Sequence, residues 1–288
     1  MKLFIHYIIR AACILGGVIL FLSIPRLFYV DGSKLLYGPG FFIQSMREVS
    51  QQIYNFDAAP IINQWLTTSI ADRYVYTLDI LGLSLLTMII GGMMLTGIFI
   101  MTPKKVQSKV KDFINFSEAV PDLLIIFVLQ YVVLYLYKET GIKLFRLYGL
   151  SEKSYLMPVV AVSLLPSFFM AQFLIKQIEE EWEKDYVIFA KSKGLHNLTI
   201  YFMHILRNIF PLAVIQLRTL IWVLLSNLVL IEYIFAMQGF TKDLNTIFTM
   251  DAPEVIIFCL LVAAPILFID LLARMTTSFY RGKNGVQL

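Results

Sequence analysis

The sequence predicts an all-α polytopic membrane protein with six transmembrane helices, and three observations support this fold class. Of the 288 residues, 58% are hydrophobic and 15% are charged. The mean hydropathy of +0.74 is far above what a soluble domain needs to fill its core. Apolar stretches of about 20 residues recur along the chain, and a helix of that length crosses roughly 30 Å of hydrocarbon. Helices are required there because lipid offers backbone amides no hydrogen-bond partners.

The first predicted span covers Phe4 to Leu27 and contains the uninterrupted apolar segment Ala11 to Ile24. A basic residue, Lys2, precedes it, which is also typical of a secretory signal peptide. No small-x-small cleavage site follows the apolar segment, and this favours a retained membrane anchor.

Five further spans are predicted, and polar segments separate them. They cover Leu78–Met101, Pro121–Tyr137, Leu156–Ile175, Pro211–Phe235 and Glu254–Met275. In the second of the six spans, the pair Gly91-Gly92 is expected to let another helix approach closely.

The loop between the first two spans is expected to form short amphipathic helices, because apolar residues recur there at helical spacing. These residues are Phe42, Met46, Val49 and Ile53. The predicted organisation is an N-terminal transmembrane helix (1–27), an extracytoplasmic loop (28–77), a five-helix core (78–280) and a cytoplasmic tail (281–288).

The distribution of basic residues indicates how the chain is oriented in the cell membrane, which is a plasma membrane or an inner membrane. Six spans place both termini on the same side. With the termini inside, the cytoplasmic segments hold 14 Lys and Arg residues and the external segments hold 9. The positive-inside rule therefore favours cytoplasmic N- and C-termini.

Several functions find no support in the sequence. Cys13 and Cys259 each lie in an apolar run, and His6, His196 and His204 have no partners at metal-ligand spacing, so neither a disulfide nor a metal is predicted. No phosphate-binding G-x-x-x-x-G-K-[ST] pattern and no catalytic constellation stand out. The chain is therefore not expected to be an enzyme, to hold a cofactor or to bind nucleic acid.

The most informative segment is the predicted cytoplasmic loop between the fourth and fifth spans, residues 176–210, called here the coupling loop. Glu180 and Lys184 stand at i and i+4 on the continuing helix, and Asp185 is expected to cap a short new helix. That helix runs to Lys193, and Gly194 is expected to end it in left-handed geometry.

The short helix is too apolar over residues 186–190 to face only water, so something is expected to cover it. Two interpretations fit this pattern. The helix either rests on lipid at the inner face of the membrane or fits a groove on a soluble partner. Periodicity alone does not distinguish them.

The loop resembles the cytoplasmic signature loop of ABC-importer permeases, in the form typical of oligopeptide, dipeptide and nickel permeases. The matching residues are Asp185-Tyr186-Val187, Ala190, Lys193-Gly194-Leu195, Arg207-Asn208 and Pro211. In the general signature a glutamate and an alanine precede the position of Ala190, and this chain has Ile188 and Phe189 there.

The resemblance extends over about Trp65 to Tyr280. The matching segments are Ile70-Ala71-Asp72-Arg73 with Thr77-Leu78-Asp79, Met157-Pro158 with Pro166, and Glu232-Tyr233-Ile234-Phe235 with Gly239. On either side of Gly239, Gln238 stands where proline is usual and Thr241 stands where glycine is usual. These two differences predict an altered turn.

The resemblance implies the fold of a type I ABC importer permease and a division of labour. Two ATPase subunits would dock, one on the coupling helix of each permease chain. A second and usually different permease subunit would complete the path through the bilayer. An extracytoplasmic binding protein would deliver the substrate. The docking residues implied here are Asp185, Tyr186, Val187, Ile188, Phe189, Ala190, Lys193, Gly194 and Leu195. Peptides are the first expectation for the substrate, with nickel chelates or other solutes as alternatives. A stand-alone secondary transporter or channel is the alternative function.

Two charged residues in the fifth span are candidates for the translocation pathway. Arg218 either lines a cavity and contacts a substrate carboxylate or reaches back to the cytosolic interface. Glu232 either lines a gate, or contacts the binding protein, or lies at the external interface. In the sixth span, Asp270 and Arg274 at i and i+4 predict a structural ion pair.

Overall fold

A computed structural model describes residues 16–31, 34–67, 69–141, 153–248 and 250–284. Within these ranges, five helices are long and apolar enough to cross a membrane, and they correspond to the second to sixth predicted spans. They are α4 (Ile70–Met101), α6 (Asp122–Thr140), α7 (Leu156–Trp182), α10 (Leu206–Ile234) and α11 (Ala252–Asn284). The predicted all-α membrane fold is confirmed, with five of the six predicted spans present as long helices in the described residues.

The first predicted span falls only partly within the described residues. Residues 1–15 lie outside them, and Gly16–Leu27 forms a shorter apolar helix, α1. The chain divides into two compact units, one of Met1–Ala71 with Asp243–Ala263 and one of Asp72–Lys242 with Ala264–Leu288.

The first unit contains a feature that the sequence analysis did not predict, a two-stranded antiparallel hairpin. Strand β1 (Phe28–Asp31) pairs with β2 (Lys34–Tyr37), with Phe28 opposite Tyr37. The sequence Asp31-Gly32 between two apolar runs is a hairpin signal that could have revealed it.

Two helices, α2 (Pro39–Tyr54) and α3 (Ala58–Thr67), follow the hairpin, and α2 buries Ser45 and Val49. The side chain of Gln52 joins α2 to the start of α11. Its Nε2 donates to Asp251 Oδ1 at 2.9 Å, and its Oε1 accepts from the Ala252 amide at 3.1 Å.

The second unit is built around α7, which is buried along most of its length and packs extensively on α10. Helix α4 approaches α7 closely at Gly91 and Gly92, as the sequence predicted. A Cβ atom on Gly91 would stand 2.8 Å from Ser167 Oγ, and one on Gly92 would stand 2.7 Å from Met170 Cγ. Small residues are favoured at such crossings because, in lipid, close van der Waals contact between helices replaces the hydrophobic driving force.

A further helix, α5 (Lys104–Phe116), lies between the second and third predicted spans, where the sequence analysis predicted none. It packs on α7 through the buried Ile114, whose carbonyl accepts from Gln172 Nε2 at 3.0 Å. An ion pair of 2.6 Å between Lys111 Nζ and Glu179 Oε2 joins the same two helices. The amphipathic sequence of α5 is explained by this one-sided packing.

Candidate functional site

The coupling loop contains the predicted short helix, α8, which covers Asp185–Ser192. Its boundaries differ from the prediction by one residue, and its capping differs in kind. Lys184 occupies the N-cap position without a side-chain capping bond, and Asp185 is the first helical residue.

The expectation that Glu180 and Lys184 stand at i and i+4 on one continuing helix is wrong. Helix α7 ends at Trp182 and the chain turns before Lys184, so helical i, i+4 spacing does not apply to these two residues. The Lys184 ammonium instead forms an ion pair with Glu181, which is buried.

Glu181 holds the turn between α7 and α8. Its Oε2 accepts a hydrogen bond of 2.5 Å from the Tyr186 hydroxyl. Burial, together with this bond to the Glu181 carboxylate, raises the pKa of Tyr186 to about 12. The phenol therefore stays protonated and keeps donating throughout the physiological pH range.

Helix α8 is also joined to α10 and makes a second contact with α7. Tyr186 forms a side-chain hydrogen bond with Asn208, which lies in the first turn of α10. On the α7 side, Lys191 Nζ lies 4.4 Å from the centre of the Trp182 ring, a cation–π contact. Because separate contacts join α8 to both long helices, a force on α8 would be transmitted to α7 and α10.

The roles of Glu181 and Trp182 were not predicted from the sequence. A signal was present, because Trp182 follows three consecutive acidic residues a few positions before the predicted short helix.

The end of α8 confirms the prediction for Gly194, whose φ is +78°. The Gly194 amide donates to the Lys191 carbonyl at 2.9 Å, and the Leu195 amide donates to the Ala190 carbonyl at 3.4 Å. These two bonds satisfy carbonyls that the end of a helix otherwise leaves unpaired, and they require a residue that tolerates left-handed geometry.

The apolar residues of α8 divide into two groups. Val187 is 0% exposed and Ala190 is 5% exposed, and both belong to the core of the second unit. Ile188 and Phe189 are 55% and 61% exposed. The chain's own helices therefore cover half of this apolar set and leave Ile188 and Phe189 on the surface.

The exposed side of α8 also carries positive charge. Lys193 Nζ lies 4.4 Å from the centre of the Phe189 ring, and Leu195, 38% exposed, follows directly after Gly194. The surface formed by Ile188, Phe189, Lys193 and Leu195 is called here the α8 surface. It combines large apolar side chains with a cation, which suits a protein groove with an acidic rim.

A π-helical turn, Tyr201–Ile205, lies directly before α10 and follows the short helix α9 (Asn197–Ile200). Tyr201 and Ile205 are buried in this turn. A π turn widens the helix locally and is frequent at functional sites. Here it lies where the coupling loop joins the fifth span.

Arg218 does not stand as an isolated charge. Its Nε lies 2.8 Å from Asp270 Oδ1, in an ion-pair contact that lacks hydrogen-bond geometry, while Arg274 Nε donates to Asp270 Oδ2 at 2.8 Å. The predicted pair of Asp270 and Arg274 is confirmed. Arg218 joins this pair and ties α10 to α11, a contact that neither of its two sequence-based interpretations included.

Glu232 is 0% exposed, which corrects the interpretations that placed it on a surface. Its carboxylate accepts from Thr77 Oγ1 at 2.6 Å, from the Thr241 amide at 2.9 Å and from Thr241 Oγ1 at 2.6 Å. Thr77 Oγ1 in turn accepts from the Phe240 amide at 2.8 Å. The network joins α4, the end of α10 and the turn that follows α10.

This network explains the altered turn predicted from Thr241. Thr241 supplies two of the three protein donors to Glu232 described above, and a glycine there would supply only the backbone amide. Gly239 is required for space, because a Cβ atom at that position would stand 1.9 Å from Glu232 Cδ.

In the ranges that the structure describes, no group of three or more His, Cys, Asp or Glu side chains is placed to hold a metal ion.

Comparison with known families decides what kind of protein this arrangement belongs to. Residues 88–281 match the family of binding-protein-dependent transport system inner membrane components. This range is more than half of the chain and contains all of α7, α8 and α10. The chain belongs to this family. It is a multi-pass membrane component of a transport system and not an enzyme.

Two curated relatives resemble about half of the chain. The metal-staphylopine import system permease protein CntB of Staphylococcus aureus is 27% identical over 143 residues, which are 49% of this chain and 46% of that protein. The dipeptide transport system permease protein DppB of Lactococcus lactis is 29% identical over 150 residues, which are 49% of this chain and 48% of that protein. The chain thus spans about half the length of the curated relatives it matches.

Proposed function

We propose that this chain is one permease subunit of an ATP-driven ABC importer, that it forms half of the translocation path, and that α8 is the coupling helix on which a separate ATPase subunit docks. The observation that carries this proposal is the α8 surface. Ile188 and Phe189 are more than half exposed on a helix that is itself joined to α7 and α10. Exposed side chains of this size on a short cytosolic helix favour a protein partner.

The orientation and the other partners follow from the same proposal. With both termini in the cytoplasm, α8 lies on the cytosolic side together with the lysines of α5. A second permease subunit, of a different chain, would complete the path, and an extracytoplasmic binding protein would deliver the solute on the opposite face. Family membership supports these partners, because its members work in binding-protein-dependent systems.

The names of two relatives support two chemical groups as candidate substrates. One relative is named for dipeptides and the other for a metal-staphylopine complex. We propose small peptides as the substrates of this importer, with a metal chelate as the alternative. Measuring the uptake of a labelled dipeptide and of a labelled metal chelate by the same membranes, each in competition with the other, would show which of the two is transported.

The structure determines which variant tests the docking role. Ala190 is buried, so replacing it with a charged residue would disturb the packing of α8 as well as any interface. Phe189 is 61% exposed, and Phe189→Glu places a charge in the proposed interface while leaving the core intact. Phe116→Glu is the matched control, because Phe116 is 65% exposed on the different helix α5.

The measurement is an affinity pull-down of the solubilised chain from its own membranes. Wild type and Phe116→Glu should recover a P-loop ATPase and a second multi-span chain, whereas Phe189→Glu should recover the second chain with little ATPase. Losing a buried Phe side chain costs roughly 1.5–3 kcal/mol, so ATPase recovery should fall by at least about tenfold. Recovery of this chain alone from wild type, with uptake that needs no ATP, would contradict the proposal and favour a stand-alone transporter.

A further inference from the structure

A groove of about 380 Å³ lies between α7 and α10, on a face that the sequence analysis did not consider. Four aromatic and aliphatic side chains line it, Phe169, Phe173, Leu220 and Val223, and four polar side chains lie among them, Gln172, Lys176, Gln216 and Thr219. None of the lining residues is acidic.

Two of the polar residues of the groove lie well inside the fifth span. Gln216 and Thr219 stand five and eight residues after Pro211, where the fifth span was predicted to begin, which is roughly 8 and 12 Å along the helix. Thr219 is exposed and Gln216 is half-buried. Polar side chains at that depth are costly against hydrocarbon and usually face water, a partner or a polar cavity.

The α7 side of the groove adds a cation. Lys176 is exposed and lies one residue beyond the predicted end of the fourth span. Gln172 is less available as a donor to a solute, because its Nε2 already donates to the Ile114 carbonyl at 3.0 Å. Lys176, Gln216 and Thr219 therefore offer an ammonium, an amide and a hydroxyl to one groove, a set of donors that suits an anionic oxygen group.

The two helices that form the groove are also the two helices that the coupling loop connects. The coupling loop connects the cytosolic ends of α7 and α10, and the contacts of Tyr186 join α8 to both. A displacement of α8 would therefore act directly on the two helices that form the groove.

We infer that this groove is part of the wall of the cytosolic end of the translocation path, and that Lys176, Gln216 and Thr219 there receive a carboxylate group of the transported solute. This inference rests on the proposed function. A peptide carboxylate and a carboxylate-bearing chelator both carry the required chemistry, and the aromatic residues on the α7 side provide an apolar surface for the remainder of the solute.

The first experiment measures whether the groove contains water in the whole transporter. Cys13 and Cys259 are replaced by alanine, and single cysteines are then introduced as Thr219→Cys in the groove and Met94→Cys on α4. Met94 is the control, because it is 64% exposed, apolar and about 10 Å from the end of its helix at Met101.

The reagent is a permanently charged methanethiosulfonate, added to inverted membrane vesicles that hold the complete complex. Thr219→Cys should react roughly 100-fold faster than Met94→Cys, because a charged reagent is excluded from hydrocarbon. Equal rates at the two positions would overturn the inference.

The second experiment tests the carboxylate, using a dipeptide and the same dipeptide with its carboxylate converted to an amide. Lys176→Gln should lower uptake of the free dipeptide about tenfold, change uptake of the amide little, and be rescued by Lys176→Arg. Unchanged uptake of the free dipeptide by Lys176→Gln would refute the assignment of the carboxylate to this groove.

The two hypotheses fail in different ways. If no ATPase is recovered with the wild-type chain, the proposed function fails. If the ATPase is recovered and uptake requires ATP, but Thr219→Cys is unreactive, only the inference about the groove fails.

Discussion

Replacing Gly239 with alanine should destabilise the protein through one defined contact with Glu232. The added methyl carbon would stand 1.9 Å from Glu232 Cδ and 2.1 and 2.2 Å from its two oxygens, whereas ordinary van der Waals contact begins near 3.4 Å. The carboxylate cannot rotate away freely, because it accepts three hydrogen bonds from Thr77 and Thr241.

The size of the effect depends on the hydrogen bonds that the carboxyl group of Glu232 loses when it moves. If it withdraws, it loses hydrogen bonds that are worth roughly 0.5–1.5 kcal/mol each, and a buried polar group left without a partner costs roughly 1–3 kcal/mol more. Together these losses amount to about 3–5 kcal/mol. For a protein of this size, we expect the midpoint of thermal unfolding to fall by roughly 10 °C.

The assay is thermal unfolding of the detergent-solubilised chain in a double-mutant cycle. In a Glu232→Ala background the methyl group of Gly239→Ala meets no carboxylate, so its additional cost should be below about 1 kcal/mol. Gly97→Ala is the control substitution, since a Cβ atom there would have no neighbour within 4 Å, and alanine at that helical position should be neutral or slightly stabilising. Equal costs of Gly239→Ala in the two backgrounds would refute the reasoning, because the clash would then not involve Glu232.

Three further predictions concern the coupling loop and the contact between α10 and α11. Tyr186→Phe removes the bond to Glu181 and should lower the free energy of unfolding by about 1–2 kcal/mol, as checked by thermal unfolding; an unchanged midpoint would exclude a role for this bond. Gly194→Ala forces alanine to a φ of +78° and should cost about 1–2 kcal/mol, seen as faster limited proteolysis within the coupling loop, and an unaltered cleavage rate would count against strain there. Asp270→Asn leaves Arg218 without its carboxylate and should lower the unfolding midpoint, and Arg218→Gln in the same chain should restore part of the loss; no recovery in the double variant would mean that the two residues do not interact.

The helical spans could be predicted from the sequence because the lipid imposes a local rule. Every backbone amide must be paired within its own segment, so a run of about 20 apolar residues is sufficient evidence for a spanning helix. The end of α8 could be predicted for a similar reason. A glycine in left-handed geometry ends a helix through hydrogen bonds between residues that are close in sequence. The family was also identified correctly from the residues of the coupling loop, and the match over 88–281 confirms it.

The partners of charged side chains could not be predicted in the same way. Glu232 meets Thr77 across 155 positions of sequence, and Arg218 meets Asp270 on another helix. Lys184 pairs with Glu181 and not with Glu180 because the chain turns between them. Such contacts depend on how helices cross and where they end, and helical spacing within one segment carries no information about either.

The residues alone are enough to identify a helical membrane protein of the importer-permease family with a short helix in the coupling loop. They do not show which residues of that helix are covered, and this is visible only in the folded protein. Val187 and Ala190 are buried, while the neighbouring Ile188 and Phe189 are exposed. The physical reason is that in a membrane protein the side chains that pack on other helices and those that face lipid or a partner are apolar alike. Apolar periodicity therefore locates the helices, but only their packing shows which faces remain available for function.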